Sequence, residues 1–302
     1  MSIRVTQNIL NSNMLFNLQR NNKMMETYQD QLSTGKKINK PSDNPVTAVR
    51  GMFYRSSLNE IEQYKRNLDH GLSWMTSTDE ALNEVTEVMQ RVRELTVQGL
   101  NGTNDANSRT AIAEEINQLK NHLGEIANTQ FAGKYIFAGT DIKNPPYNAD
   151  PTIPNSPREF RNNNQEVLEL EVGAKSNIQI NIRGMDIFNN QDIGGVFKVL
   201  SDIVDKFRNS NENDSNHLDK LDSQIDNILK ERSELGARMN RIELAMSRMD
   251  GIEVSTTRLL SQEEDIDISQ VIVNLKAQEN VQRAALSAGA RIIQPSLVDF
   301  LR

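Results

Sequence analysis

Apolar residues recur at alternating steps of four and three at both ends of this 302-residue chain, and that spacing commits the ends to helix-on-helix packing. The N-terminal stripe is Leu10, Met14, Leu18, Met25, Tyr28 and Leu32, with Asn21 in the gap. The C-terminal stripe is Val271, Leu275, Gln278, Val281 or Gln282, Ala285, Ala288 and Ile292. A side chain that returns every three or four residues stays on one helix face, so each stripe is a seam that needs a partner. Ala where Leu is expected makes the second seam narrow and suited to close approach. The two ends read as partners in assembly, and the middle reads as an insertion between them.

The punctuation divides the rest. Ser33-Thr34-Gly35 stops the first helix, and a connector runs to Asn44-Pro45, where an Asn cap and a proline at the first helical position start the next. That helix is expected over 45–100, roughly 80 Å at 1.5 Å per residue. A turn at Asn101–Asp105 reverses the chain into Ile112, Ile116, Leu119, Leu123 and Ile126, completing an αα-hairpin. Five of the eight prolines fall between 145 and 157 and exclude helix there. Val167 to Val172 and the alternating Ile178, Ile180 and Ile182 then predict a β-hairpin around Gly173-Ala174. From Leu218 to Leu260 the seam returns at its longest, and Asp265-Ile266-Asp267 interrupts it, with Asp267 and Gln270 placed as a reciprocal cap.

The expected fold is therefore mainly α: a long antiparallel helical rod or coiled coil, with a small β-rich inserted module and flexible terminal helices. Five segments follow: 1–44 for the N-terminal assembly helix and connector, 45–138 and 196–264 for the rod, 139–195 for the outer β module, and 265–302 for the C-terminal assembly helix. Connectors at both ends cut the terminal stripes off from the rod, which favours packing on other subunits over packing within the chain.

Composition removes several classes of function. Aromatic residues make up 5% and the net charge is −7, with basic residues interspersed among acidic ones, so no basic patch points to nucleic acid. No window of 18 apolar residues exists to cross a membrane. Cysteine is absent, which suits a protein exported unfolded to an oxidising place, yet Thr6, Gln7, Asn8, Asn11, Ser12 and Asn13 stand where a signal peptide needs apolar residues. Catalytic signals are weak. His70, His122 and His217 are isolated on polar helix positions, read as solvated, and lack metal-ligand spacing. Glu263, Glu264, Asp265 and Asp267 are read as charge at a helix N-terminus rather than a cation site. No cofactor and no enzyme activity are expected.

Particular residues carry a family resemblance. Gln31-Leu32-Ser33-Thr34-Gly35-Lys36-Lys37-Ile38-Asn39, followed by Ser42-Asp43-Asn44-Pro45, resembles the N-terminal signature of the flagellin superfamily. The matching positions are Leu32, Ser33, Gly35, Ile38, Asn39, Asp43 and Pro45. Arg93-Glu94-Leu95-Thr96-Val97-Gln98, and Asp265 with Asp267 before the last helix, are similar to the same family in the same order. Asn44 stands where relatives often carry Asp and keeps the capping ability. Arg4-Val5-Thr6-Gln7-Asn8 and the closing Gln294–Leu301 resemble the branch found at the hook–filament junction more than filament subunits.

The resemblance implies a structural part of the bacterial flagellum, extracellular and passed through the flagellar type III channel without a cleaved signal. Its implied partners are further copies in a ring at the junction, a neighbouring hook-associated protein, flagellin and an export chaperone of helical type. Assembly contacts are expected at Leu10, Met14, Leu18, Met25, Tyr28, Leu32, Val271, Leu275, Ala285, Ala288 and Ile292, and chaperone contacts at Val271, Leu275 and Ile292. Two alternatives stand beside this reading: a short filament flagellin, and an enzyme hosted in the central insert.

Overall fold

The computed structural model describes residues 7–101, 105–148, 159–164, 166–190, 193–209 and 216–293. Their order is α1 (Gln7–Thr34), α2 (Pro45–Leu100), α3 (Ala106–Ala127), β1 (Gln130–Phe131), β2 (Lys134–Tyr135), β3 (Tyr147–Asn148), β4 (Glu159–Phe160), β5 (Glu169–Gly173), β6 (Ser176–Gln179), α4 (Gly184–Phe188), α5 (Val196–Asn209), α6 (His217–Glu264) and α7 (Ile268–Ile293). The chain forms two units, one from 61–251 and one from 1–60 with 252–302, so α2 and α6 each contribute to both.

The central unit holds the hydrophobic core. On α6, Leu221, Ile228, Leu235, Ile242 and Met249 are buried at a strict interval of seven, the repeat of a coiled-coil seam. Leu68, Met75, Leu82, Val85, Met89 and Val92 of α2 join the same core. Three threonines are buried among them on α2. Thr78, Thr86 and Thr96 donate to the carbonyls of Trp74, Leu82 and Val92 at 2.9, 2.7 and 2.8 Å, so no hydroxyl is stranded. Asp105 caps α3 by accepting from the Ser108 N–H at 2.8 Å. α3 packs along α5, whose Val196, Val199, Leu200, Ile203, Val204 and Phe207 form one buried face.

The strands make three separate antiparallel pairs, β1–β2, β3–β4 and β5–β6. β5–β6 is the hairpin the alternation predicts, with its turn at Ala174-Lys175 and Lys175 at φ +60. β1–β2 falls within the segment 45–138 expected as rod. α3 ends at Ala127 with Asn128 as its C-cap, and Ala132 and Gly133 then take positive φ (+50 and +76), the two-residue hairpin conformation.

The segment expected as the β module packs on helices of the central unit. Leu170 Cδ2, Ile180 Cγ2 and Ile242 Cδ1 come within 2.9, 3.3 and 3.4 Å of where a Cβ on Gly71 would lie, so β5–β6 and its continuation pack on α2 and α6. Val172, Ile178, Ile182, Phe160 and Phe188 belong to the same core as the helices. An inserted segment that supplies this much buried apolar surface is part of the domain's core. His217, read as solvated, is buried at the start of α6.

Candidate assembly surface

In the terminal unit, a joint of backbone bonds and side-chain caps links the helix ends. α1 ends on Gly35 at φ +69, whose N–H donates to the Gln31 carbonyl at 2.8 Å, a left-handed cap that any other residue enters with strain. Lys36 then pairs with Asp265 as an antiparallel bridge. Around it the Lys37 N–H donates to the Glu264 carbonyl at 2.6 Å and the Ile266 N–H to the Gly35 carbonyl at 3.2 Å. Asp43 Oδ2 accepts from the backbone N–H groups of Lys40 and Asn39 at 2.9 and 3.3 Å, which closes the connector. Asn44 Oδ1 accepts from Val46 and Thr47 N–H at 3.2 and 3.3 Å and starts α2 at Pro45. Asp267 Oδ1 accepts from Gln270 N–H at 3.1 Å and starts α7. The Gln270 side chain turns along the helix instead of back to the cap, its Nε2 donating to Asn274 Oδ1 at 3.1 Å.

The family positions Gly35, Asp43, Pro45, Asp265 and Asp267 are thus turns and caps that set where four helices start and stop. Leu32 and Ile38 are half-buried beside them, and Ser33 and Asn39 are exposed.

One carboxylate ties the joint together. Glu264, 7% exposed, receives Lys36 Nζ at 3.1 Å and Arg55 Nη2 at 2.5 Å on the same oxygen. Gly51 leaves the space that its carboxylate fills. Burial pushes the Glu264 pKa up, and the hydrogen bonds and charges of Arg55 and Lys36 outweigh it, so the group sits below the usual glutamate value.

Beyond the joint, α1 and α7 run antiparallel and pack on one another inside the chain. Met14 covers Gly289, with its sulfur 2.7 Å from where a Cβ would lie. That register sets Leu18 level with Ala285, Tyr28 with Leu275 and Leu32 with Val271. Within the chain, the two predicted stripes are therefore brought together. Met14, Leu18, Met25, Tyr28, Leu32, Leu275 and Ala285 are half-buried, and Val271 is 8% exposed. Ala288 is exposed, and Gly289 takes its place in the seam. Glycine carries no apolar side chain to mark a stripe, although the 4-3 spacing through 271, 275, 278, 282, 285 and 289 selects this position. The side chains of Leu10 and Ile292 lie outside the described residues, as do the segments 1–6 and 294–302.

What remains uncovered is the informative part. Among the described residues, sixteen of the twenty-one large apolar side chains that stand exposed belong to the terminal unit. They include Leu15 and Phe16 on α1, Val49 and Phe53 on α2, Val254 on α6 and Val273 and Leu286 on α7; Phe16 and Phe53 are 64% and 66% exposed. Val271 is the only buried hydrophobic residue described in that unit, whereas the central unit buries dozens. A monomer rarely exposes so much apolar surface on so small a part, and such surface marks a contact with other chains.

The sequence matches two family descriptions. Residues 5–141 match the bacterial flagellin N-terminal helical region, and residues 218–301 match the bacterial flagellin C-terminal helical region. Flagellin of Bacillus subtilis is 28% identical over 284 residues, covering 89% of each chain. Flagellar hook-associated protein 3 of Escherichia coli is 24% identical over 285 residues, covering 86% of this chain and 88% of its own. The crystal structure of flagellar hook-associated protein 3 from Legionella pneumophila superposes with a TM-score of 0.63 at 14% identity, covering 70% of this chain and 98% of that one, a likeness of fold.

Proposed function

This chain belongs to the bacterial flagellin family, and from that premise we propose that it is a hook–filament junction adaptor, a structural subunit that assembles at the hook tip and nucleates flagellin polymerisation. The observation that carries the assembly role is the terminal unit, which leaves its large apolar side chains exposed while the central unit covers its own. Apolar surface gains about 25 cal/mol per Å² when another subunit removes it from water, so covering even part of this set favours association. The junction role rests on the opening and closing segments and on the near full-length likeness to the Escherichia coli hook-associated protein. No catalytic chemistry is assigned to it.

In this reading copies of the chain form a ring, with a hook-associated neighbour on one side and flagellin on the other. The outer faces of α1 and α7 and the exposed start of α2 make the contacts. Before export, α7 engages a helical chaperone through Val271, Leu275 and Ile292, which requires α7 to leave α1. The protein then passes unfolded to the outside of the cell.

A filament role has one observation in its favour, the slightly higher identity to the Bacillus subtilis flagellin. Deleting the gene separates the two. Loss of a junction adaptor leaves hooks intact while flagellin spills into the medium; loss of a filament subunit leaves hooks bare with no such spill, and that result overturns the proposal.

A further inference from the structure

One face of α6 holds the segment that follows β6 by reaching its backbone oxygens. Gln224 Nε2 donates to the Ile193 carbonyl at 2.9 Å, Asn227 Nδ2 to the Asp186 carbonyl at 2.7 Å and Arg238 Nη1 to the Asn181 carbonyl at 3.2 Å. Steps of three and four through 224, 227, 231, 234 and 238 keep these side chains in one row. Each donor supplies the hydrogen bond that a carbonyl needs once it leaves water. Glu231, in the middle of the row, supplies none. An ionised carboxylate only accepts, so it cannot bond the oxygens that the rest of the row engages.

Nor is the Glu231 charge compensated. The side chain is half-buried and makes no hydrogen bond or ion pair among the described residues. Glu234 acts on it from the same helix and Asp186 from α4. Of the nearby cations, Arg238 is drawn to Glu234 at 3.4 Å and to Asn181, and Lys230 is exposed. Arg183 is paired with Asp186 at 2.6 Å. Burial first, then Glu234 and Asp186, push the Glu231 pKa above the ordinary glutamate value, and Lys230 and Arg238 offset only part of this.

We propose that Glu231 is a proton-operated latch between α6 and the α4 segment: charged, it works against the three donors beside it, and neutral, it lets the contact close. A neutral carboxyl also carries an O–H, the kind of donor the rest of the row uses. The latch lies wholly in the central unit and is independent of the role proposed above.

Amide exchange at Asp186 and Asn189, whose N–H groups bond the Arg183 and Met185 carbonyls, reads this contact in the full-length chain. Native protein and Glu231→Gln are compared at pH 7 and pH 4. Because the folded pKa is raised, the penalty of the charged group is fully present above the folded value and gone below the unfolded value near 4.5. At pH 7 Glu231→Gln should therefore slow exchange at both amides about threefold or more and raise the Tm of the central unit. At pH 4 the two chains should exchange alike. Every other carboxylate is common to both chains, so titration elsewhere cancels in the comparison, and equal helicity by circular dichroism shows that the variant folds. The proposal is overturned if Glu231→Gln exchanges no more slowly than the native chain at pH 7, or if it differs by the same factor at both pH values.

Discussion

Gly124 and Gly236 set two effects of the same substitution against each other. Both are interior helical glycines, on α3 and α6, and helix propensity alone makes glycine to alanine favourable by about 1 kcal/mol at each. Nothing lies within 4 Å of a Cβ at Gly236, so Gly236→Ala should realise that gain. At Gly124 the new methyl would fall within the Tyr147 ring, 2.6 Å from Cδ1 and closer to Cε1 and Cζ. The ring cannot retreat. Tyr147 is 2% exposed and stacks on Phe197 with centroids 4.8 Å apart, and Asn128 holds its backbone N–H and carbonyl at 2.9 and 2.8 Å. Forcing an atom into a packed site costs about 1–3 kcal/mol and more where neighbours are fixed, so Gly124→Ala should lose about 2 kcal/mol net. For a unit of this size that lowers Tm by about 4–8 °C, while Gly236→Ala should raise it by about 2–4 °C. Thermal unfolding followed by circular dichroism reads both. If Gly124→Ala is as stable as Gly236→Ala, the close approach of α3 to the β3 segment is wrong.

Ile180→Ala should destabilise the helices of the central unit by about 2–5 kcal/mol, measured by urea unfolding at the helical band, because Ile180 fills the space over Gly71. Loss confined to the β-hairpin would instead support a separable module. Glu264 predicts an acid-sensitive joint. Its pKa is depressed in the folded chain, so its contribution is present above the unfolded value near 4.5 and is lost as pH falls through the lower folded value. Amide exchange at Lys37 and Ile266 should therefore accelerate below about pH 4.5 in the native chain, and Glu264→Gln should abolish that step. Amides of α1 and α7 should exchange well before those of α3 and α5, because Val271 is the only buried hydrophobic residue described in their unit; equal protection would contradict the marginal seam.

The sequence made most of the helical plan legible because its signals are local. The seven-residue step through Leu221, Ile228, Leu235 and Ile242 can be counted directly, and Asn44 and Asp267 cap the helices they precede. What could not be read depends on contacts between distant segments. Nothing near Gly124 announces Tyr147, and the alternation of Ile178, Ile180 and Ile182 marks a buried face without saying that α2 and α6 cover it. The Ala132-Gly133 turn lacks the Asn or Asp that advertises such hairpins. At the candidate surface, the stripes of α1 and α7 were visible, but a stripe does not name its partner. The exposed residues Phe16, Phe53, Val273 and Leu286 lie off the stripes and emerge only once the seam is closed.

The most direct test of the account is hook-seeded assembly with the outer faces changed and the seam left intact. Phe16→Ser, Val273→Ser and Leu286→Ser alter residues that are exposed in the single chain, so the triple variant should keep native helicity and Tm. Only the exposed half to two thirds of each side chain remains to be buried, so each change would remove about 1–2 kcal/mol from subunit addition, enough together to reduce binding about a hundredfold or more. Native protein should coat isolated hook tips and let added flagellin polymerise, and the folded variant should do neither. A variant that binds hooks and supports flagellin growth like the native chain would contradict it.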